Sequence, residues 1–176
     1  MSRILELTTP FSEADVRSLN AGDIVNLSGV IYTGRDAAHK RLCNLLDNGK
    51  DLPLDLDGQL IYFVGPCPAP PGRVIGSAGP TTSGRMDAYS PRLIKECRLR
   101  GMIGKGDRNE AVKSAMQKYG AVYFAATGGA GALISRSIVK ADVVAFDDLG
   151  PEAIYRLEVK NLPLVVAIDA NGKSLY

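Results

Sequence analysis

The chain has 176 residues, enough for one domain with a sizeable core, and 1–176 is read as a single domain. Hydrophobic residues at 45% and charged residues at 23% are ordinary globular values and exclude a disordered or fibrous chain. A net charge of +2, no Trp and no basic run interleaved with aromatics argue against nucleic-acid and membrane surfaces as partners.

In chain order, residues 3–8 read as an edge strand. Ser12 to Leu19 is a short helix, with Ser12 and Asp15 in capping-box spacing. Ile24 to Tyr32 is a β-branched strand ended by Gly34. A helix follows from about Ala37 to Leu46, with Asp36 as cap and Ala38, Leu42, Leu45 and Leu46 on one face. Leu60 to Val64 is a strand. Pro66 to Gly84, rich in proline and glycine, cannot be regular, and Val74-Ile75 in its middle implies that it packs.

Ser90-Pro91 opens the next helix, Ser as cap and Pro in the first turn, with Leu93, Ile94 and Cys97 inward and Gly101 ending it. Met102 to Gly104 is a very short strand. Asn109 to Tyr119 is helical and closed by Gly120, and Ala121 to Ala125 is a buried strand. A helix is expected from Thr127 to about Val139, then a strand from Val143 to Phe146. Glu152 to Val159 and Leu164 to Asp169 are expected to pair as a hairpin around Asn161-Leu162-Pro163. The pattern is α/β, a mixed sheet with helices packed on it, parallel in the middle and antiparallel at both ends.

The start of the chain lacks an unbroken apolar core, and no apolar run approaches the roughly 20 residues that span a bilayer. A soluble, cytoplasmic protein is expected. Cys43, Cys67 and Cys97 are widely spaced and odd in number, which gives no zinc spacing and no disulfide framework. Cys67 is expected to be a buried free thiol rather than a reactive one.

Three Gly-flanked cationic segments carry the chemistry: Gly34-Arg35-Asp36-Ala37-Ala38-His39, Gly79-Pro80-Thr81-Thr82-Ser83-Gly84-Arg85-Met86, and Gly104-Lys105-Gly106-Asp107-Arg108. Together they suit a small polyanion such as a dicarboxylate. Each has a second, local reading. Arg85 either clamps a carboxylate or pairs with Asp87. Arg35 either meets an anion at a helix start or pairs with Asp36. His39 is a packed helix residue or an acid–base group, and Lys105 an ammonium exposed to an approaching ligand or part of a plain turn. Arg108 is either a partner behind the ligand-binding groups or a solvent-facing residue at a helix start, the second being preferred. An unactivated hydroxyl at Thr81, Thr82 or Ser83 needs a neighbour to lower its pKa before it can move a proton. Thr127-Gly128-Gly129-Ala130-Gly131 lacks both nucleotide-loop spacings, so close packing explains it better than a nucleotide.

These three segments, in this order and followed by Thr127-Gly128-Gly129-Ala130, resemble the C-terminal domain, or separate β subunit, of class I iron–sulfur fumarases and L-tartrate dehydratases. The resemblance runs from about Leu5 to Asp169. It implies a swivelling β/β/α domain and a hydro-lyase acting on four-carbon hydroxy dicarboxylates. Fumarate hydration to L-malate is the first expectation, with L-tartrate dehydration or mesaconate hydration as alternatives. It implies that Arg35 and Arg85 bind substrate carboxylates, that Lys105 is an active-site lysine and that Thr81 is the catalytic threonine. Thr82 and His39 are carried with the substrate-binding set, His39 without an assigned role. It also implies a [4Fe–4S] cluster on a partner α subunit, none held by this chain, and an α2β2-type assembly. The non-enzymatic rival is a stand-alone dicarboxylate-binding module.

Overall fold

The computed structural model describes residues 3–126 and 134–176. In chain order these form β1 (Ile4–Thr8), α1 (Glu13–Arg17), β2 (Ile24–Thr33), α2 (Asp36–Asp47), β3 (Leu60–Tyr62), α3 (Ser90–Cys97), β4 (Gly101–Gly104), α4 (Glu110–Tyr119), β5 (Val122–Ala126), β6 (Ile138–Ala145) and β7 (Ile154–Ile168). Two 3-10 segments, Ser83–Met86 and Asp147–Glu152, lie between them. The sheet order is β1-β2-β3-β4-β5-β7-β6, with a further β2–β7 pairing. That pairing joins β2, β3, β4, β5 and β7 into a ring, with β1 and β6 at its margins.

Period-2 alternation sorts the strand residues into two cores. Leu60, Tyr62, Ile103, Val122, Phe124, Leu157, Leu164 and Val166 belong to one cluster. Ile61, Met102 and Tyr123 from the same strands, with Phe63 just after β3, pack in a second cluster with Ala38 and Leu42 of α2, Leu93 and Ile94 of α3, and Val112 and Met116 of α4. Each fully buried aliphatic or aromatic side chain contributes roughly 1.5–3 kcal/mol.

The parallel middle is present, since β2, β3, β4 and β5 run the same way. The amino-terminal margin differs from expectation, because β1 pairs parallel with β2 rather than antiparallel. The capping box of α1 forms as read, with Asp15 N–H donating to Ser12 Oγ and Ser12 N–H to Asp15 Oδ2. Gly120 closes α4 in the left-handed region at φ 83°, and Asn109 caps its start.

Several boundaries are corrected. The expected terminal hairpin is one continuous 15-residue strand, β7. Asn161 takes a left-handed φ of 51°, but instead of turning the chain it sits opposite the register shift between Leu27 and Gly29 of β2. Its N–H donates to Ser28 Oγ at 3.0 Å. The helix expected to reach Val139 stops earlier, because Ile138 already pairs with Val159 in β6. The remainder of that expectation, residues 127–133, lies outside the described residues. The β3 ladder ends at Tyr62, although Phe63 N–H still donates to Ile103 O at 2.8 Å. The cap of α2 is Arg35, not Asp36, and the cap of α3 is Tyr89, not Ser90. Arg98, at φ 56°, terminates α3, and Gly101 opens β4. In the irregular segment Ile75 is buried as expected, whereas Val74 is exposed. Cys67 is exposed rather than buried.

Candidate active site

Adjacent parallel strands place their carboxyl ends on one edge, where α/β proteins bind ligands. Arg35 follows β2, Thr81 to Arg85 close the long segment after β3, and Lys105 follows β4. Short bonds join the three segments there. Thr82 bridges Lys105 in parallel pairing, and Ser83 N–H donates to Lys105 O at 2.9 Å. Thr81 N–H donates to Phe63 O at 2.7 Å. Arg85 Nε and Nη2 both donate to Asp36 Oδ2, at 2.9 and 2.6 Å. The local pairings are thereby replaced: Asp36 serves Arg85 rather than Arg35, and Asp87 serves Arg108 rather than Arg85.

Arg35 begins α2 in extended backbone geometry and offers no cap of its own. The acceptor comes from far along the chain, where Glu152 Oε1 takes the Ala37 N–H at 3.4 Å. Gly65 leaves room for the Arg35 side chain, since a Cβ there would stand 3.0 Å from its Nη1 and 3.1 Å from its Cδ. Arg35 Nε, Asp36 Oδ1 and His39 Nε2 are all buried without a partner among the described residues. These three atoms stand together at the start of one helix, where Arg35 precedes Asp36 and His39.

His39 is 1% exposed and sits edge-on to Phe63. Its Nδ1 lies 2.8 Å from Arg35 O. A carbonyl only accepts, so Nδ1 carries the proton and Nε2 is bare. Burial pushes its pKa down to about 4, so the ring is neutral at pH 7. His39 thus reaches the site through the Arg35 backbone. Lys105 and Thr82 are exposed, and Thr81 is half-buried.

A polar knot lies beneath the site. Arg108 has a fully buried side chain, against the preferred solvent-facing reading and in line with the supporting one. Its Nε donates to Asp87 Oδ1 at 2.6 Å and its Nη2 to Ser90 Oγ at 2.8 Å. Its guanidinium lies over both Phe63 and Tyr123, about 5 Å from each ring. Asp87 Oδ2 also accepts from Asn109 N–H. Tyr123 OH donates to Gly106 O at 2.7 Å and lies 2.7 Å from Ser83 Oγ. Gly104 is what lets the two segments meet, because a Cβ there would fall 1.9 Å from Ser83 Oγ. Desolvation raises the Tyr123 hydroxyl well above its ordinary value. No local periodicity marks Arg108 as buried; its aromatic floor is assembled only when β5 lies near β3.

The cysteines do not form a cluster site. Cys43 and Cys97 are half-buried with their thiols pushed up by desolvation, while Cys67 stands in the exposed segment. Among the described residues no three His, Cys, Asp or Glu side chains are grouped to hold a metal ion. No helix among them is long and apolar enough to cross a membrane.

A family model described as the fumarase C-terminus matches residues 1–176. A Methanocaldococcus jannaschii protein provisionally named L(+)-tartrate dehydratase subunit beta is 42% identical over 170 residues, which is 94% of this chain and 87% of that protein. The anaerobic class I fumarate hydratase of Escherichia coli K12 is 35% identical over 175 residues, 98% of this chain but 32% of that enzyme. Fumarate hydratase 2 of Leishmania major is 35% identical over 156 residues, 88% of this chain and 28% of that enzyme. The chain therefore spans most of the archaeal subunit and only about a third of the fumarate hydratases.

Proposed function

Because the chain belongs to the fumarase C-terminal family, we propose that it is the β subunit of a two-subunit hydro-lyase that hydrates fumarate reversibly to L-malate. The observation that carries this reading is the joining of the Arg35, Arg85 and Lys105 segments at one edge by the Asp36–Arg85 pair and the Thr82–Lys105 bridge. Two guanidinium groups and one ammonium suit a four-carbon dianion. Arg35 and Arg85 bind its carboxylates, with Thr82 beside them. His39 holds the Arg35 backbone in place.

In the dehydration direction a proton leaves the carbon next to one carboxylate and hydroxide leaves the neighbouring carbon. Thr81 takes that proton. Lys105, bridged to the adjacent Thr82, supplies the positive charge that favours the Thr81 alkoxide and the developing carbanion. Both residues are incompletely covered in this chain, so the partner completes the site and excludes water from it. A [4Fe–4S] cluster on the partner α subunit would supply Lewis acidity toward the departing hydroxyl. Under this reading the residues of this chain serve binding and proton transfer.

L-tartrate dehydration is the second reading, favoured by the 42% identity to an archaeal protein of nearly matching extent. Single polar contacts separate the two substrates. The test is coexpression with the iron–sulfur subunit and assay on fumarate, L-malate, L-tartrate and mesaconate. Turnover only in the assembled complex is expected. Dicarboxylate binding by this chain alone, with no activity on mixing, would instead establish a stand-alone binding module. Within the complex, Thr81→Val should lower kcat by about 10²–10⁴-fold with KM little changed. Undiminished kcat would remove Thr81 from proton transfer.

A further inference from the structure

We propose that Asp36 is a positioning residue that selects which edge of Arg85 meets the substrate carboxylate, an inference that rests on the reading of Arg85 as a carboxylate clamp. A guanidinium carries its donors in a rigid fork with a side edge and an end edge. One oxygen, Asp36 Oδ2, accepts from both Nε and Nη2 and so occupies the side edge. The end edge makes no hydrogen bond to any described residue. A carboxylate arriving at Arg85 meets Nη1 and the remaining Nη2 hydrogen, and approaches along one direction only.

Strength of attraction does not explain this pair. The Arg85 side chain is 51% exposed and that of Asp36 is 36% exposed, the range in which ion pairs add little stability. What the pair supplies is a fixed rotamer on a side chain that otherwise loses considerable entropy when a ligand orders it. Asp36 suits the task because it is itself fixed. It is the first helical residue of α2, next to Arg35, and its Oδ1 is buried. Asp36 therefore sets the Arg85 guanidinium relative to the residue that binds the other carboxylate, and the spacing between the two clamps selects the length of the dicarboxylate.

An aspartate beside an anion site also competes with the anion. The two effects have opposite signs, which makes the inference testable. If Asp36 orients Arg85, its loss raises KM. If it merely competes, its loss lowers KM. The experiment uses the complex with the iron–sulfur subunit and compares Asp36→Ala, Asp36→Asn, Arg85→Ala and the Asp36→Ala/Arg85→Ala double variant. KM and kcat are measured on whichever of L-malate and L-tartrate is turned over.

Asp36→Ala should raise KM about tenfold with kcat kept within about twofold, the size of one charge-assisted hydrogen bond. Asp36→Asn, whose amide oxygen still accepts, should fall between. In the Arg85→Ala background, Asp36→Ala should add nothing further. An unchanged or lower KM in Asp36→Ala overturns the proposal, as does a full additional effect in the double variant, which a general structural role would produce. If Asp36→Ala does not assemble, an unchanged KM in Asp36→Asn overturns it equally. An unaltered Arg85→Ala enzyme is a separate result, because it removes the clamp itself.

Discussion

Two aspartate–arginine pairs sit side by side in this molecule and have opposite surroundings. Asp87–Arg108 lies under the site, its guanidinium fully buried between aromatic faces and both carboxylate oxygens engaged. Asp36–Arg85 lies at the rim, half exposed, with one edge of the guanidinium unused. Burial makes a charge costly to orphan and unavailable to a ligand; exposure makes it weak in stability and free to act. The same two residue types thus fasten the segments together in one place and present a cation in the other.

The sharpest way to break this contrast is to remove the buried arginine. Arg108→Ala leaves Asp87 without its main partner and should destabilise the protein by about 3–5 kcal/mol. Urea denaturation measures it, and a loss below about 1 kcal/mol would mean that the pair is no fastening. At the rim the expectation is inverted. Arg85→Ala should change stability by less than about 1 kcal/mol. In the assembled enzyme the same variant should lower kcat/KM on the order of a hundredfold, about 3 kcal/mol. Wild-type kcat/KM would rule out a role for Arg85 as clamp.

A smaller effect tests the buried histidine that links the two regions. His39 has a folded pKa of about 4 against an ordinary 6.5, set first by desolvation and also by the nearby Arg108, with the Arg35 carbonyl and Asp36 opposing. The unfolded chain therefore binds the proton more readily. The His39 contribution is whole above pH 6.5 and is lost as pH falls toward 4. Between pH 6.5 and 5 the loss should be about 2 kcal/mol. His39→Asn should abolish this dependence, since His39 is the sole histidine. A variant that retains the full pH slope would assign it to the carboxylates.

Much of the fold was legible because local chemistry decided it. The Ser12–Asp15 capping box and the Gly120 stop need only neighbours in sequence. The site segments were legible as Gly-flanked cations, and their convergence follows from parallel strands ending on one edge. The pairings within the site were not legible. Asp36 and Asp87 each stand within two residues of an arginine, yet each bonds one from another segment. Sequence neighbours at a helix start do not face each other, and topology brings the distant ones closer. The misread hairpin has the same origin. Asn161-Leu162-Pro163 has turn chemistry, but the irregularity of β2 at Ser28 and Gly29 absorbs it within a continuous strand. Glu152, which supplies an acceptor to α2, carries no local signal at all.

The last strand has a consequence for how the protein is made. β7 spans Ile154–Ile168 and lies between β2 on one side and β5 and β6 on the other. Its partners in β2 precede it by more than a hundred residues, so closure requires a contact of very long sequence separation. Until β7 has been synthesised, the β2 edge that it covers stays unpaired. A chain cut after Glu152 should stay protease-sensitive, and one that includes β7 should be resistant. A chain that has made β1 to β6 but not β7 therefore carries an open strand edge exposed to aggregation.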